Sequence, residues 1–127
     1  MAKVSICVPT YNNASEVERL LQSVHRQNYT DYKVNVSDDS TNEETAELIE
    51  RIRTEWNWQD KLHYIHNEKP LGHIYNWNAA IKMAAGEYIK IMFSDDWFTD
   101  SDSLGTFVSM LDEHPKANLA FSGSMQV

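Results

Sequence analysis

Glu87-Tyr88-Ile89-Lys90-Ile91-Met92-Phe93-Ser94-Asp95-Asp96-Trp97 reads as a strand that runs straight into a pair of carboxylates. Residues 87–93 have the apolar, β-branched and aromatic content of a buried strand, and Ser94-Asp95-Asp96 supplies turn chemistry where that strand must leave its sheet. Adjacent carboxylates at a strand end can hold a divalent cation, cap a helix or face water. A second pair, in Val36-Ser37-Asp38-Asp39-Ser40-Thr41, follows the strand pattern 33–37; there, capping shared with Ser40 and Thr41 competes with a ligand role. Parallel strands open on one common edge, so both pairs are expected in one crevice. Four carboxylates that close together repel unless a cation or protons compensate them.

Working outward, strand and helix patterns alternate along the chain with no low-complexity linker and no internal repeat. A first strand, 4–8, stops at Pro9-Thr10-Tyr11-Asn12-Asn13; Ser15 and Glu18 then have capping-box spacing before a helix with Val17, Leu20, Leu21 and Val24 on one face. Thr41 and Glu44 repeat that spacing before a helix carrying Leu48, Ile49 and Ile52. A short strand spans 62–65, a third helix 74–85 with Gly86 as its C-terminal stop, and a fourth helix 101–113 ends before Pro115. Residues 117–127 read as a fifth strand that stops in mid-pattern, which suggests a piece of a longer protein. Five strands joined by crossover helices make an α/β fold: an open, doubly wound, mostly parallel sheet whose ligands bind beyond the carboxyl ends of the strands.

The composition bounds the function classes. A chain of 127 residues with 42% hydrophobic residues suits one domain with one core. Its net charge of −8, without a basic stripe, argues against nucleic acid as a partner. The single cysteine, Cys7, lies within an apolar strand and reads as a small buried thiol. There is no room for a signal peptide before the first strand and no run long enough for a transmembrane segment, so a cytoplasmic chain is expected, with scope for a peripheral place at the inner membrane face. None of the glycines at 72, 86, 105 and 123 forms a GxGxxG or GxxxxGK[ST] loop, which disfavours dinucleotide and P-loop chemistry. An acidic edge still accepts a diphosphate when a hard cation, Mn²⁺ or Mg²⁺, sits between carboxylate and phosphate oxygens.

Four segments together carry a family resemblance: Val4-Ser-Ile-Cys-Val-Pro-Thr-Tyr-Asn-Asn13, Val36-Ser-Asp-Asp-Ser-Thr41, Asn78-Ala-Ala-Ile-Lys-Met-Ala-Ala-Gly-Glu-Tyr-Ile89 and Phe93-Ser-Asp-Asp96. In order and spacing they resemble the donor-binding half of family 2 glycosyltransferases of the GT-A fold. The resemblance implies inverting transfer of a sugar from a nucleotide diphosphate sugar, commonly a UDP-sugar, to an acceptor hydroxyl, with cell-surface polysaccharide biosynthesis as the suggested setting and a saccharide or lipid-linked saccharide as acceptor. By position, Pro9, Thr10 and Tyr11 would pack along base and ribose with the Tyr11 ring as a stacking surface. Asp39 would accept a hydrogen bond from the base N–H, and Asp38 beside it would order the loop. Asp95 and Asp96 resemble the DXD-type metal motif, Asp95 facing the ribose and Asp96 ligating a Mn²⁺ or Mg²⁺ that joins both phosphates. Ser94 stands where many members carry another Asp. The catalytic base of the family lies in the acceptor-binding half, beyond Val127, so no catalytic residue is expected in this chain and donor binding without turnover is expected of it alone.

Other side chains read more plainly. His63, His66 and His73 lack the spacing of a helical metal pair and read as surface or half-buried histidines; for Lys69 and His73 a solvated loop is the expectation, with a reach to a diphosphate as the lesser alternative. Trp56, Trp58 and Trp77 read as packing residues, while Trp97 beside the acidic pair is open to a sugar or acceptor role. A signalling receiver domain would need an acidic pair after the first strand, where Pro9-Thr10-Tyr11 stands. A metal-dependent nucleotidyltransferase would begin with a basic Gly-rich loop there, and Asn12-Asn13 does not resemble one. A non-catalytic nucleotide-binding module remains the alternative from another class.

Overall fold

The computed structural model describes residues 2–114. In chain order the elements are β1 (Val4–Thr10), α1 (Ala14–His25), β2 (Tyr32–Asp38), α2 (Glu44–Trp56), β3 (Leu62–His66), α3 (His73–Lys82), β4 (Tyr88–Ile91) and α4 (Ser103–Glu113). The strands form a sheet of order β3-β2-β1-β4 in which every pairing is parallel. The α/β class and the parallel sheet follow the sequence pattern. The fifth strand expected at 117–127 lies outside the described residues.

Position in the sheet explains the burial pattern. β1 has a neighbour on each side and is buried at all seven positions, whereas β3 and β4 alternate with more exposed residues. Ile6, Val8, Val34 and Val36 meet the inner stripe of α1 (Val17, Leu20, Leu21, Val24) and Ile49 and Ile52 of α2 in one core. The α1 and α2 helices pack on each other while α3 runs back across β2 and β1. The right-handed rule for parallel crossovers therefore sets α3 on the opposite face of the sheet from α1 and α2. Trp58 is buried, and His25 stacks on Trp56 at 4.2 Å between ring centroids, so these indoles pack as the sequence suggests. Cys7 is fully buried, and burial pushes its thiol up to about 11, which leaves it unreactive. Among the described residues no helix is long and apolar enough to cross a membrane.

Several boundaries differ from the sequence expectation, each for a tertiary reason. Neither capping box forms: α1 is preceded by Asn13 and α2 by Glu43, both without a side-chain cap, and the Glu44 N–H is taken instead by Asn42 Oδ1 at 3.1 Å. The third helix stops at Lys82, so Gly86 is not its C-terminal stop. Gly86 instead lies against β1, where a Cβ would fall 2.9 Å from Lys3 O and 2.9 Å from Ser5 N. Ser5 Oγ accepts the Ala85 and Gly86 N–H groups at 3.1 and 2.8 Å, giving that turn a partner in the sheet. The strand expected at 87–93 narrows to Tyr88–Ile91, though Met92 N still donates to Cys7 O at 3.0 Å.

Candidate functional site

The carboxyl ends of β1, β2 and β4 surround a cleft of about 760 Å³. Register places Thr10 of β1 opposite Asp38 of β2, and the Asp39 N–H donates to Thr10 O at 2.9 Å, so the two strands part side by side. Pro9, Thr10 and Tyr11 line one wall of the cleft, Tyr11 half exposed at 52%. The left-handed Asn12 (φ 52) turns the chain out of β1 and ties it to the next loop, its N–H donating to Ser40 Oγ at 2.9 Å and its Oδ1 accepting Thr41 N–H at 3.0 Å. Asn is one of the few side chains that tolerate this conformation. Thr10 Oγ1 is buried with no protein partner, which leaves a polar group in the cleft wall for a ligand to satisfy.

The two residues of the first acidic pair have different surroundings. Asp38 is 0% exposed and lies behind the cleft, where Oδ1 accepts Ser40 N–H at 2.9 Å and Oδ2 accepts the Tyr64 hydroxyl at 2.5 Å. Burial first, and the bond to Asp38 second, raise the Tyr64 phenol well above its ordinary value, so it stays a donor. Asp39 lines the cleft. Its Oδ1 accepts from Asn67 Nδ2 at 2.8 Å and from Leu71 N–H at 2.9 Å, and its Oδ2 accepts Gly72 N–H at 3.0 Å. A carboxylate has roughly four acceptor positions, so one near Oδ2 is left for a ligand. The loop that Asp39 gathers brings Pro70, Gly72 and His73 to the opposite wall. Lys69 is absent from the lining.

Asn76, 4% exposed on the first turn of α3, anchors this arrangement by donating to Thr10 O at 3.2 Å and accepting Ser37 Oγ at 2.7 Å. The sequence reading passed over Asn76, Asn13 and Glu16 as lining residues. Asn13 stood in the segment after β1 and was readable only as a turn, while Glu16 is an ordinary first-turn acid of α1 with nothing local to mark it. Asn76 carries a weak signal, a polar residue on the buried stripe that ends in Ala80.

At the fourth strand, Phe93, Ser94 and Asp95 line the cleft. Ser94 Oγ accepts Asn13 Nδ2 at 3.0 Å, which leaves its hydroxyl hydrogen free to donate elsewhere. Asp96 is exposed and turned back on its own loop, Oδ2 accepting Phe93 N–H at 3.0 Å. Each acidic pair thus contributes one residue to the cleft wall, Asp39 and Asp95, on one rim of the sheet. Trp97 lies under the Arg19 guanidinium, 3.9 Å from the ring centroid. Lys90, half-buried over the Phe107 ring, has its ammonium pushed down by burial, against a smaller upward pull from Asp96.

The carboxylates that line the cleft, Glu16, Asp39 and Asp95, offer oxygen donors of the kind a hard cation prefers. Among the described residues no group of three or more His, Cys, Asp or Glu could hold a metal ion by itself. An ion here would complete its shell with phosphate and water oxygens, as Mg²⁺ commonly does.

Comparisons with known proteins agree with this fold. The model for Glycosyl transferase family 2 matches residues 5–123. The chain is 33% identical over 111 residues to the abequosyltransferase RfbV of Salmonella typhimurium, covering 86% of this chain and 32% of that protein. It is 31% identical over 121 residues to the poly(ribitol-phosphate) β-N-acetylglucosaminyltransferase TarS of Staphylococcus aureus, covering 90% of this chain and 20% of TarS. The structure of TarS residues 1–349 in complex with UDP superposes with a TM-score of 0.77 at 31% identity, covering 89% of this chain and 33% of that one. The mannosyltransferase PcManGT of Pyrobaculum calidifontis, in complex with GDP-Man and Mn²⁺, superposes with a TM-score of 0.76 at 27% identity, covering 87% and 32%. The chain thus spans a third or less of each of these relatives' length.

Proposed function

The chain belongs to glycosyl transferase family 2, its sheet has the GT-A arrangement of its structural neighbours, and from that premise we propose that it forms the donor-binding part of an enzyme that moves a sugar from a nucleotide diphosphate sugar to an acceptor hydroxyl. The donor is a UDP-sugar, transfer proceeds with inversion, and a Mn²⁺ or Mg²⁺ ion assists. The observation that carries the reading is the convergence of Asp39, Asp95 and the Pro9-Thr10-Tyr11 segment on one cleft at the carboxyl edge of the parallel sheet.

Each residue has a role that follows from its surroundings. Tyr11 offers an exposed ring on which a base can stack. Asp39, which already accepts from three donors, uses its open position to take a base N–H. Thr10 Oγ1 supplies a hydrogen bond to base or ribose that the protein leaves unmade. Asp95, lining the cleft, faces the ribose. Asp96, which accepts Phe93 N–H in this structure, would be the carboxylate that holds the ion. The bound ion supplies Lewis-acid stabilisation of charge on the leaving diphosphate. Asp38 acts from behind, holding the loop that carries Asp39. Solved structures of TarS with UDP and with UDP-GlcNAc, and of PcManGT with GDP-Man and Mn²⁺, support a nucleotide-sugar donor and a divalent ion for this family.

We assign the group that deprotonates the acceptor to a part of the enzyme outside these 127 residues, and the acceptor to the saccharide or lipid-linked saccharide class, in keeping with a similar Campylobacter jejuni glucosyltransferase named for an undecaprenol-linked substrate. The 127-residue chain by itself then binds donor without turning it over. Titration calorimetry with UDP, GDP and CDP, each with and without Mn²⁺, tests the reading. UDP binding strengthened by Mn²⁺ and weakened in Asp96→Ala is expected. Metal-independent binding unchanged by that substitution would defeat the role of Asp96, and sugar transfer by this chain alone would place the base within it.

A further inference from the structure

The connection between β4 and α4 carries the Asp95-Asp96 pair and, from residue 92 to residue 102, has no helix or strand of its own to fix its path. Its path is fixed from outside, by α1 and the residues that directly follow it. Arg19 and Ser23 lie one turn apart on α1, and Gln27 follows two residues beyond its last helical residue, His25. Arg19 covers the Trp97 ring at 3.9 Å from its centroid. Ser23, 2% exposed, donates to Leu20 O at 2.7 Å and accepts Phe98 N–H at 3.0 Å. Gln27, 5% exposed, donates from Nε2 to Asp100 O at 2.7 Å and accepts Leu104 N–H through Oε1 at 2.9 Å. That last bond does for α4 what its own N-cap, Asp102, does not. At the helix entrance Asn13 holds Ser94 in the same way, at 3.0 Å.

Ser23 is a buried polar group on a helix whose other inward residues are Val17, Leu20, Leu21 and Val24, and Gln27 is buried just beyond the helix end. Neither lines the cleft. Burying a serine and a glutamine where valine or leucine would fit is unfavourable unless their hydrogen bonds are made, and here they include bonds to Phe98 N–H and Asp100 O of the acidic connection and to Leu104 N–H at the start of α4. Their geometry therefore transmits to Asp95 and Asp96, two to five residues away along the chain.

We propose that Ser23 and Gln27, with Arg19 at the surface, are positioning residues that set the Asp95-Asp96 connection at the distance from the cleft needed to receive a divalent cation bound to a nucleotide diphosphate. This rests on the donor-site reading given above. Residues that orient metal-binding groups through hydrogen bonds commonly change metal affinity by roughly 10–100-fold when removed, without touching the ligand.

The test measures UDP binding by calorimetry on the 127-residue chain across a series of Mn²⁺ concentrations, for wild type, Ser23→Ala, Ser23→Thr, Gln27→Leu and Arg19→Ala. In Ser23→Ala and Gln27→Leu the Mn²⁺ concentration for half-maximal UDP binding rises by roughly ten-fold or more. UDP binding without Mn²⁺ stays as in wild type, and Phe98 and Leu104 amides respectively lose hydrogen-exchange protection. Ser23→Thr, which keeps the hydroxyl, restores the wild-type Mn²⁺ requirement. Arg19 is exposed, so Arg19→Ala keeps the fold and carries the test should the buried variants fail to fold; its Mn²⁺ requirement rises in the same direction. A wild-type requirement in the folded variants, or equal loss of metal-free and metal-assisted binding, overturns the inference alone. A wild-type chain whose UDP binding ignores Mn²⁺ overturns the donor-site reading and this inference together.

Discussion

Asp39 Oδ2 accepts the backbone N–H of Gly72 at 3.0 Å across 33 positions of sequence. This bond joins the loop after β2 to the helix that re-crosses the sheet, and the same carboxylate takes the Leu71 N–H and the Asn67 side chain. Asn in place of Asp39 would turn either an N–H₂ group toward those donors or a single oxygen toward all three. Asp39→Asn is expected to lower stability by about 1–3 kcal/mol, the penalty for leaving buried donors unmet, and to abolish UDP binding. Urea unfolding and calorimetry on the same protein separate the two effects; full UDP affinity in the variant would remove Asp39 from the site.

Gly72 has φ 90 and ψ 159, a region essentially reserved for glycine, although a Cβ there would meet nothing within 4 Å. Gly72→Ala therefore has room but no comfortable backbone. A loss of about 1–3 kcal/mol in unfolding free energy is expected, with weakened UDP binding because Leu71 and Gly72 can no longer hold Asp39 in place. A neutral substitution would show that the loop relaxes freely.

Gly86→Ala fails for the opposite reason, with an ordinary backbone and no room. Its Cβ would press on Lys3 O and Ser5 N, both backbone atoms at 2.9 Å, and the strand cannot move aside without disturbing its neighbours. Overpacking of this kind costs about 1–3 kcal/mol. Ser5→Ala, which strips the Ala85 and Gly86 N–H groups of their shared acceptor, is expected to fall in the same range. Both are read by denaturant midpoints, with UDP binding retained in the folded fraction.

His66 gives the molecule a pH dependence near neutrality. Its Nε2–H donates to Ser40 O at 2.7 Å, and its Nδ1 lies 3.8 Å from Glu43 Oε2, a partner for the protonated ring. The hydrogen bond to Ser40 is the largest cause, with smaller pulls from Asp38 and Glu43, of a pKa raised above the ordinary value. A group whose folded pKa is raised stabilises the native state fully below its unfolded value, about 6.5, and loses that contribution as pH climbs through the folded value. The chain should thus lose stability from slightly acid to slightly alkaline pH, and His66→Asn should flatten the slope in urea midpoints taken across that window. An unchanged slope would assign the dependence elsewhere.

Much of this molecule was legible in its sequence because parallel α/β architecture writes itself in local periodicity. The inner stripe of α1, Val17, Leu20, Leu21 and Val24, is read directly, and once the strands are known to be parallel, Tyr11, Asp39 and Asp95 must share an edge. What stayed hidden depends on partners far along the chain. The helix starts at Ser15 and Thr41 followed a local capping rule that the structure does not use, and Gly86 looked like a helix stop because the closeness of Lys3 and Ser5 leaves no trace in residues 80–90. The division of labour within each Asp pair was equally invisible, since one residue's difference in register turns Asp38 inward and Asp39 to the cleft.

Ser23 on α1 and Gln27 just after it hold the acidic connection across 75 to 77 positions, Ser23 to Phe98 and Gln27 to Leu104. Contacts that span so much of a chain close late, because the loop entropy must be met before they contribute. Through most of folding, and during synthesis until the segment beyond residue 104 has emerged, the β1, β2 and β3 part of the sheet can exist with β4, Asp95 and Asp96 unplaced. Pulse-labelled hydrogen exchange during refolding should accordingly protect the Val34 and Val36 amides of β2 before those of Phe98 and Leu104. The capacity to hold a charged donor would then arrive as the last act of folding, and newly made, unfinished chains would be spared from binding it.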